Sequence, residues 1–343
     1  MNEVRINNLI IRGEIKMKLL LTGSGFIVQD FLSFADDLKD KDVELTAITG
    51  IPAEKEKLEK LAKAHNIKEI YLDYDEALAN TSADTVYIGV PNFLHYSFAK
   101  KAMEAGKNVI CEKPFTVKYD EFKELKQLAL DKRLVLVEAI TNQYLTNYKE
   151  LKDELKNLGP VKIVSMNYSQ YSHRYDAFKE GKILPVFDPK KGGGALMDLN
   201  IYNIHFLVDL FGMPKSVHYV ANITRGVDTS GILMLDYGDF KAVSIAAKDT
   251  EAPITSTIEG EDGSIIVNGP ANVMDSWDLY HRKDFVKHVD DKIFPHRMYE
   301  EFLNFAKIID NHDMDKVSEM LDHSDEVMQV LQKAVDDAGL KLE

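Results

Sequence analysis

Through the first 140 residues, short apolar runs alternate with longer stretches in which apolar positions recur every three or four residues. The runs at residues 18–22, 43–49, 69–72, 85–90, 108–112 and 134–138 have strand length and read as buried strands. Between them, residues 53–65, 94–105 and 119–131 carry helical periodicity, with Gly106 placed as a helix stop. Strands alternating with helices of this size predict right-handed βαβ units and a parallel, doubly wound sheet.

Beyond about residue 141 the rhythm changes. A helical pattern at 148–158 is stopped by Gly159-Pro160, and a long strand pattern follows at 161–171. Residues 173–194, rich in Lys, Pro and Gly, read as a loop, and 195–211 as a helix. Strand patterns at 216–224, 231–237, 240–247, 254–259 and 264–267 are joined by short turns such as Tyr237-Gly238-Asp239 and Glu261-Asp262-Gly263, which predicts an antiparallel sheet. Helices at 297–310 and 315–338 close the chain. The expected fold is α/β: an N-terminal domain at 17–140 with the doubly wound parallel sheet of a Rossmann domain, and at 141–343 an α+β domain with a mainly antiparallel open sheet. Because Met17 directly precedes Lys-Leu-Leu-Leu, residues 1–16 are expected to be an N-terminal extension.

A length of 343 residues suits two cores better than one. With 42 basic against 56 acidic residues, the net charge of −14 would repel a phosphate backbone, which argues against a nucleic-acid partner. No apolar stretch approaches the ~20 residues of a bilayer span, so no membrane partner is expected. Glu3, Arg5, Arg12, Glu14 and Lys16 interrupt the start of the chain, which therefore lacks a secretory signal pattern. The single cysteine, Cys111, excludes an intramolecular disulfide, reads as a packed core thiol and fits the cytoplasm. His281 and His288 form no ligand grouping, and no H-E-x-x-H or C-x-x-C occurs, so no metal is predicted.

Four segments carry candidate chemistry. Gly23-Ser24-Gly25-Phe26-Ile27-Val28, between the first strand and a helix, is a degraded dinucleotide fingerprint. Gly23 permits the turn and Gly25 lets backbone approach a pyrophosphate, whose charge the helix N-terminus stabilises. Val28 stands where a small residue allows close packing, so the helix is expected to sit differently. The second strand, Thr46-Ala47-Ile48-Thr49-Gly50, ends without the acid that would hold ribose hydroxyls, and Lys55 and Lys57 lie on the following helix, which leaves NAD and NADP both open. Pro91-Asn92 with His95 follows the fourth strand, and Cys111-Glu112-Lys113-Pro114 ends the fifth; in doubly wound folds these loops face the ligand crevice. Beside a positively charged nicotinamide, Lys113 would have a lowered pKa suited to proton transfer. Finally, Gly192-Gly193-Gly194 leads to Asp198, Tyr202 and His205, at i, i+4 and i+7, within roughly 60° of helical arc.

Together these segments resemble the Gfo/Idh/MocA oxidoreductases over nearly the whole chain from Met17. The most specific parts are Pro91-Asn92 with His95, the segment from Ala105 to Pro114, and Gly193-Gly194 leading to Asp198. The resemblance implies bound NAD or NADP, with Gly23, Ser24, Gly25, Phe26, Ile27, Pro91, Asn92, His95, Glu112 and Lys113 as its contacts. It implies that Lys113 touches both nicotinamide and substrate and that Asp198 positions substrate. Tyr202 stands where many members have His, as in the dihydrodiol dehydrogenase and glucose-fructose oxidoreductase branches, and is then the proton donor or acceptor. Tyr144, Arg174, Tyr175 and His205 are the further substrate-contact candidates. The implied reaction is hydride transfer between nicotinamide and a CH–OH or carbonyl carbon of a sugar, polyol or trans-diol, in a homodimer or homotetramer. Two other uses of such a fold are a non-catalytic dinucleotide-binding regulator and an NAD-dependent glycosidase; a sensor has no need of Lys113, Asp198 and Tyr202 as a set.

Overall fold

The structure, a computed structural model, describes residues 17–39 and 41–342, so the expected extension at 1–16 lies outside the described residues. The first half of the chain runs β1 (Met17–Thr22), α1 (Phe26–Leu32), β2 (Val43–Thr49), α2 (Lys55–His65), β3 (Glu69–Tyr71), α3 (Tyr74–Asn80), β4 (Thr85–Ile88), α4 (His95–Glu104), β5 (Asn108–Glu112), α5 (Tyr119–Lys132) and β6 (Leu136–Ala139). Its six strands are parallel, in the order β3-β2-β1-β4-β5-β6. Strand order reverses between β1 and β4, which opens the ligand crevice at the carboxyl ends of those two strands. All of β4 and β6, and β5 beyond Asn108, are buried, as helices on both faces require of a parallel sheet. Helix α3 escaped the sequence reading because it is short; its signal was Asp73, whose carboxylate accepts the Glu76 N–H.

Val28 is accommodated from the opposite side rather than by a displaced helix. It is fully buried, and facing it at the end of β4 is Gly89, where a Cβ would lie 2.7 Å from a Val28 methyl. The small residue that close helix–strand packing needs has moved across the interface.

The second half contains α6 (Thr146–Glu154), β7 (Val161–Ser169), α7 (Arg174–Lys179), a π-helical turn (Leu196–Asn200) running into α8 (Ile201–Phe211), then β8 (Ser216–Thr224), β9 (Val227–Asp236), β10 (Lys241–Ala247), β11 (Thr255–Gly260), β12 (Ser264–Asn268), β13 (Ser276–His281), β14 (Asp284–Val289), α9 (Tyr299–Asn311) and α10 (Met314–Asp337). These strands form an eight-stranded sheet, β14-β13-β12-β11-β7-β10-β9-β8, antiparallel throughout except for the β7–β10 pair. The hairpin β13–β14 was not anticipated, because β14 is an exposed edge strand with little apolar alternation. The expected loop at 173–194 is partly folded: it holds α7 and two 3₁₀ turns, Pro185–Phe187 and Pro189–Lys191, around stacked Phe178 and Phe187 rings 5.0 Å apart.

Helix α9 packs on the first sheet. Phe302 lies 4.3 Å from the Phe31 ring and 5.2 Å from Tyr87. Helix α10 spans both halves, packing on α8 and β8 while Asp325 takes the Tyr119 hydroxyl at 2.6 Å and Lys126 at 2.7 Å. One apolar core therefore runs through both sheets, and each fully buried aromatic at this junction contributes on the order of 2–3 kcal/mol. Among the described residues no helix is long and apolar enough to cross a membrane.

Candidate active site

Three lines of chain converge at the crevice. The first is the glycine turn, where Gly23 adopts φ 85° and Ser24 and Gly25 lead into α1. Phe26, 71% exposed, and Ile27 stand at the open start of that helix. The second is the pair of loops following β4 and β5. His95 joins them: its Nδ1 lies 2.9 Å from the Pro114 carbonyl and its Nε2 2.9 Å from the Val90 carbonyl. Both ring nitrogens are thus engaged by main chain and the residue is fully buried, so His95 is a brace for the loops and not, as the sequence suggested, a cofactor contact. Pro91 begins the turn after β4, and Asn92 donates its amide to the Gly192 carbonyl at 3.0 Å, tying this loop to the triple glycine.

The third line is the π turn entering α8. Lys113, directly after β5, donates to the Asp198 carbonyl oxygen at 2.8 Å and to Asp198 Oδ1 at 3.1 Å. Its ammonium also lies 4.7 Å from the centre of the Tyr202 ring. On the far side, Lys248 donates to Asp198 Oδ2 at 2.6 Å and to the Val186 carbonyl at 2.9 Å, above the Phe187 ring. The Asp198 carboxylate is therefore held between two ammonium groups. The Lys248 side chain is 2% exposed, Lys113 12% and Asp198 32%, so the aspartate faces the crevice while its second cation is sealed beneath it. Tyr168 flanks Tyr202, with ring centres 6.1 Å apart, and among the described residues no group hydrogen-bonds the Tyr202 hydroxyl.

Charge decides what each group can do. Burial opposes the Asp198 carboxylate, but Lys248 and then Lys113 outweigh it and hold the group well below the usual carboxylate range. Burial likewise opposes the Lys113 ammonium, yet the negative groups around it raise its pKa, so the protein's own groups hold Lys113 as a cation; the lowering expected of it belongs to a charged nicotinamide alongside. Burial raises the Tyr202 hydroxyl, with Lys113 and Arg297 pulling it down. Below them Glu112 accepts the Tyr87 hydroxyl at 2.7 Å, and burial pushes its carboxyl up. Arg297 reaches across from the segment before α9, donating to Asp30 on α1 at 2.9 Å; His296 Nε2 lies 3.1 Å from the same carboxylate.

Not every sequence candidate arrives here. Tyr144 is buried with its hydroxyl 3.8 Å from the Met320 sulfur and its ring against Phe305, on the α10 side of the molecule, which removes it from the substrate contacts. His205 shares the Asp198–Tyr202 stripe but points into the interior: its Nδ1 meets His323 Nε2 at 3.0 Å and its Nε2 lies 3.4 Å from Glu138. It is an interior histidine, because the wide stripe continues past the crevice into the α8–α10 packing. Tyr175 joins the aromatic cluster with Phe178 and Phe187 that carries Lys248, so it belongs to the wall of the site, and Arg174 precedes it on α7.

The His205–His323 pair predicts an acid-labile fold. Burial and then His205 lower the His323 pKa from 6.5, so neutral His323 contributes stability above that value and the contribution is lost as pH falls below it. The thermal midpoint of His323→Asn should accordingly drop less between pH 7 and pH 5 than that of the wild type; equal drops would contradict the pairing.

Lys248 and Arg297 escaped the sequence reading. Lys248 had a signal, since it continues the inward-facing period-two row of Ala242, Ser244 and Ala246 and is buried like them. Arg297, in an irregular segment, had none.

The fold and this site define an oxidoreductase of the dinucleotide-binding class, and comparison with known proteins agrees. Residues 17–140 match the profile of the Gfo/Idh/MocA oxidoreductase family, NAD-binding Rossmann fold, and residues 149–266 match that family's C-terminal domain. The chain belongs to this family. It is 38% identical over 255 residues, 74% of its length and 76% of the relative's, to scyllo-inositol 2-dehydrogenase (NADP(+)) of Bacillus subtilis. It is 28% identical over 273 residues, 74% of its length and 80% of the relative's, to a trans-1,2-dihydrobenzene-1,2-diol dehydrogenase of Xenopus tropicalis. Among solved structures, a 3-ketoreductase of Actinomadura kijaniata in complex with NADP superposes with a TM-score of 0.81 at 16% identity, over 94% of this chain and 98% of that one, which shows a shared fold. The glycine turn and Lys113 suit a nicotinamide dinucleotide: an open helix N-terminus for the pyrophosphate and an ammonium at the crevice.

Proposed function

We propose that this oxidoreductase acts on a secondary CH–OH or carbonyl carbon of a sugar, polyol or trans-diol, with Lys113, Asp198 and Tyr202 as its reactive set. The observation that carries this reading is the convergence of Lys113 on both the Asp198 carboxylate and the Tyr202 ring, at the carboxyl end of a dinucleotide-domain strand. The relatives named for an inositol and for a trans-diol support the substrate class.

Bound nicotinamide supplies the hydride acceptor or donor. Tyr202 gives its hydroxyl proton to the carbonyl oxygen in reduction and, as phenolate, takes the substrate hydroxyl proton in oxidation. Lys113 stays charged and stabilises that phenolate through the ring and across the crevice. Asp198, fixed as a carboxylate by Lys248, orients Lys113 and accepts a substrate hydroxyl, while Arg174 and Tyr175 bound the substrate from α7. The test is absorbance of the reduced nicotinamide with NAD, then NADP, against inositols, sugars and trans-diols. Substrate-dependent reduction is the expected result; glycoside cleavage without net reduction, or cofactor binding without turnover, would contradict it.

The outer face of the second sheet supports a homodimer or homotetramer. Val220 and Ile232 are cross-strand partners, and Met234 and Ile163 extend the same exposed apolar patch. Ile232→Glu should shift wild-type oligomer to a smaller species in sedimentation velocity; an unchanged profile would rule this face out. The lone buried thiol of Cys111 supports a reducing compartment, the cytoplasm.

A further inference from the structure

We propose that Glu54 makes this chain select NAD over NADP, its carboxylate serving the adenosine ribose hydroxyls and repelling a ribose phosphate. The proposal rests on the dinucleotide site at the glycine turn. Strand β2 reaches Thr49 with no acid at its end, and the chain then turns through Gly50 and Ile51 into the 3₁₀ turn Pro52–Glu54. From there the Glu54 side chain folds back. Its Oε2 accepts the Ile51 N–H at 3.3 Å, and its Oε1 accepts the Ser24 hydroxyl at 2.6 Å. Ser24 belongs to the glycine turn and is buried, so the carboxylate is anchored against the loop expected to cradle the pyrophosphate.

Gly50 makes room for this arrangement. A Cβ there would lie 2.8 Å from Glu54 Oε2 and 3.0 Å from a Leu58 methyl. The carboxylate thus covers the end of β2, where a Rossmann domain needs an acid for ribose hydroxyls or a cation for a 2′-phosphate. Lys55, the nearest cation in sequence, is exposed and lies 3.9 Å from Glu59 on its own helix. A 2′-phosphate brought to this corner would face a fixed negative charge, and unlike a hydroxyl it could offer that charge no donor. The acid that the sequence lacked at the end of β2 is supplied one 3₁₀ turn later, and the relative named for NADP(+) does not share its preference with this chain.

The test is a fluorescence titration with NADH and with NADPH in the absence of substrate, on the wild type, Glu54→Gln and Gly50→Ala. The wild type should bind NADH at least ~30-fold tighter than NADPH, and Glu54→Gln should narrow the gap by ~10-fold, chiefly through gained NADPH affinity. Gly50→Ala should narrow it in the same direction by displacing an intact carboxylate. Equal binding of the two cofactors by the wild type, tighter binding of NADPH, or a gap unchanged in both variants would overturn the selection while leaving the dinucleotide site in place. Binding of neither cofactor would overturn the site itself.

Discussion

Lys113→Met is expected to lower kcat by ~10³-fold while NADH affinity changes by no more than about threefold. Methionine keeps the length of the side chain and removes the charge. The fold survives because Asp198 retains Lys248 at 2.6 Å as a counter-ion. What is lost is the cation that faces Tyr202, so the phenolate formed as the proton moves is no longer stabilised. Tyr202→Phe should cost a similar factor, and the double variant little more than either alone, since the two residues act as one unit. Single-turnover rates alongside cofactor titrations separate this outcome from a binding defect. Multiplying losses in the double variant would mean that Lys113 and Tyr202 work independently.

Asp198→Ala should instead destabilise the protein, by about 2–4 kcal/mol, the lower part of the range reflecting an aspartate side chain 32% open to solvent. It leaves Lys248, only 2% exposed, with no ion-pair partner in contact, held by the Val186 carbonyl and the Phe187 ring. If the penalty comes from that stranded ammonium, adding Lys248→Met to Asp198→Ala should recover most of the stability, because replacing both partners of a buried pair by apolar groups is far cheaper than removing one. Urea unfolding of the two variants measures this directly. No recovery in the double variant would show that Asp198 stabilises the π turn by some other route.

The doubly wound half of the fold was legible because its strands are buried and apolar, and the helices between them are long enough to show their period. What escaped were the short helices α3 and α7 and the hairpin β13–β14, whose inner strand alternates through Trp277 and Leu279 for only six residues and whose outer strand lies exposed at the sheet edge. The structure brings Lys113, Asp198 and Tyr202 together, three residues that a strand end, a helical spacing and the family resemblance had each pointed to. Spacing could not say where the stripe leaves the crevice, so His205 was grouped with residues from which the interior separates it. The compensation of Val28 by Gly89 and the placing of Glu54 against Ser24 join positions far apart in the chain, and only the fold brings them together.

The central claim, hydride transfer at the Lys113–Asp198–Tyr202 site, is tested most directly by following deuterium from the reacting carbon of an inositol or trans-diol substrate. The label should appear in the reduced nicotinamide in equal amount to the oxidised product, and Lys113→Met should slow the transfer by ~10³-fold. Label retained in the product or lost to water, or transfer by Lys113→Met as fast as by the wild type, would contradict it.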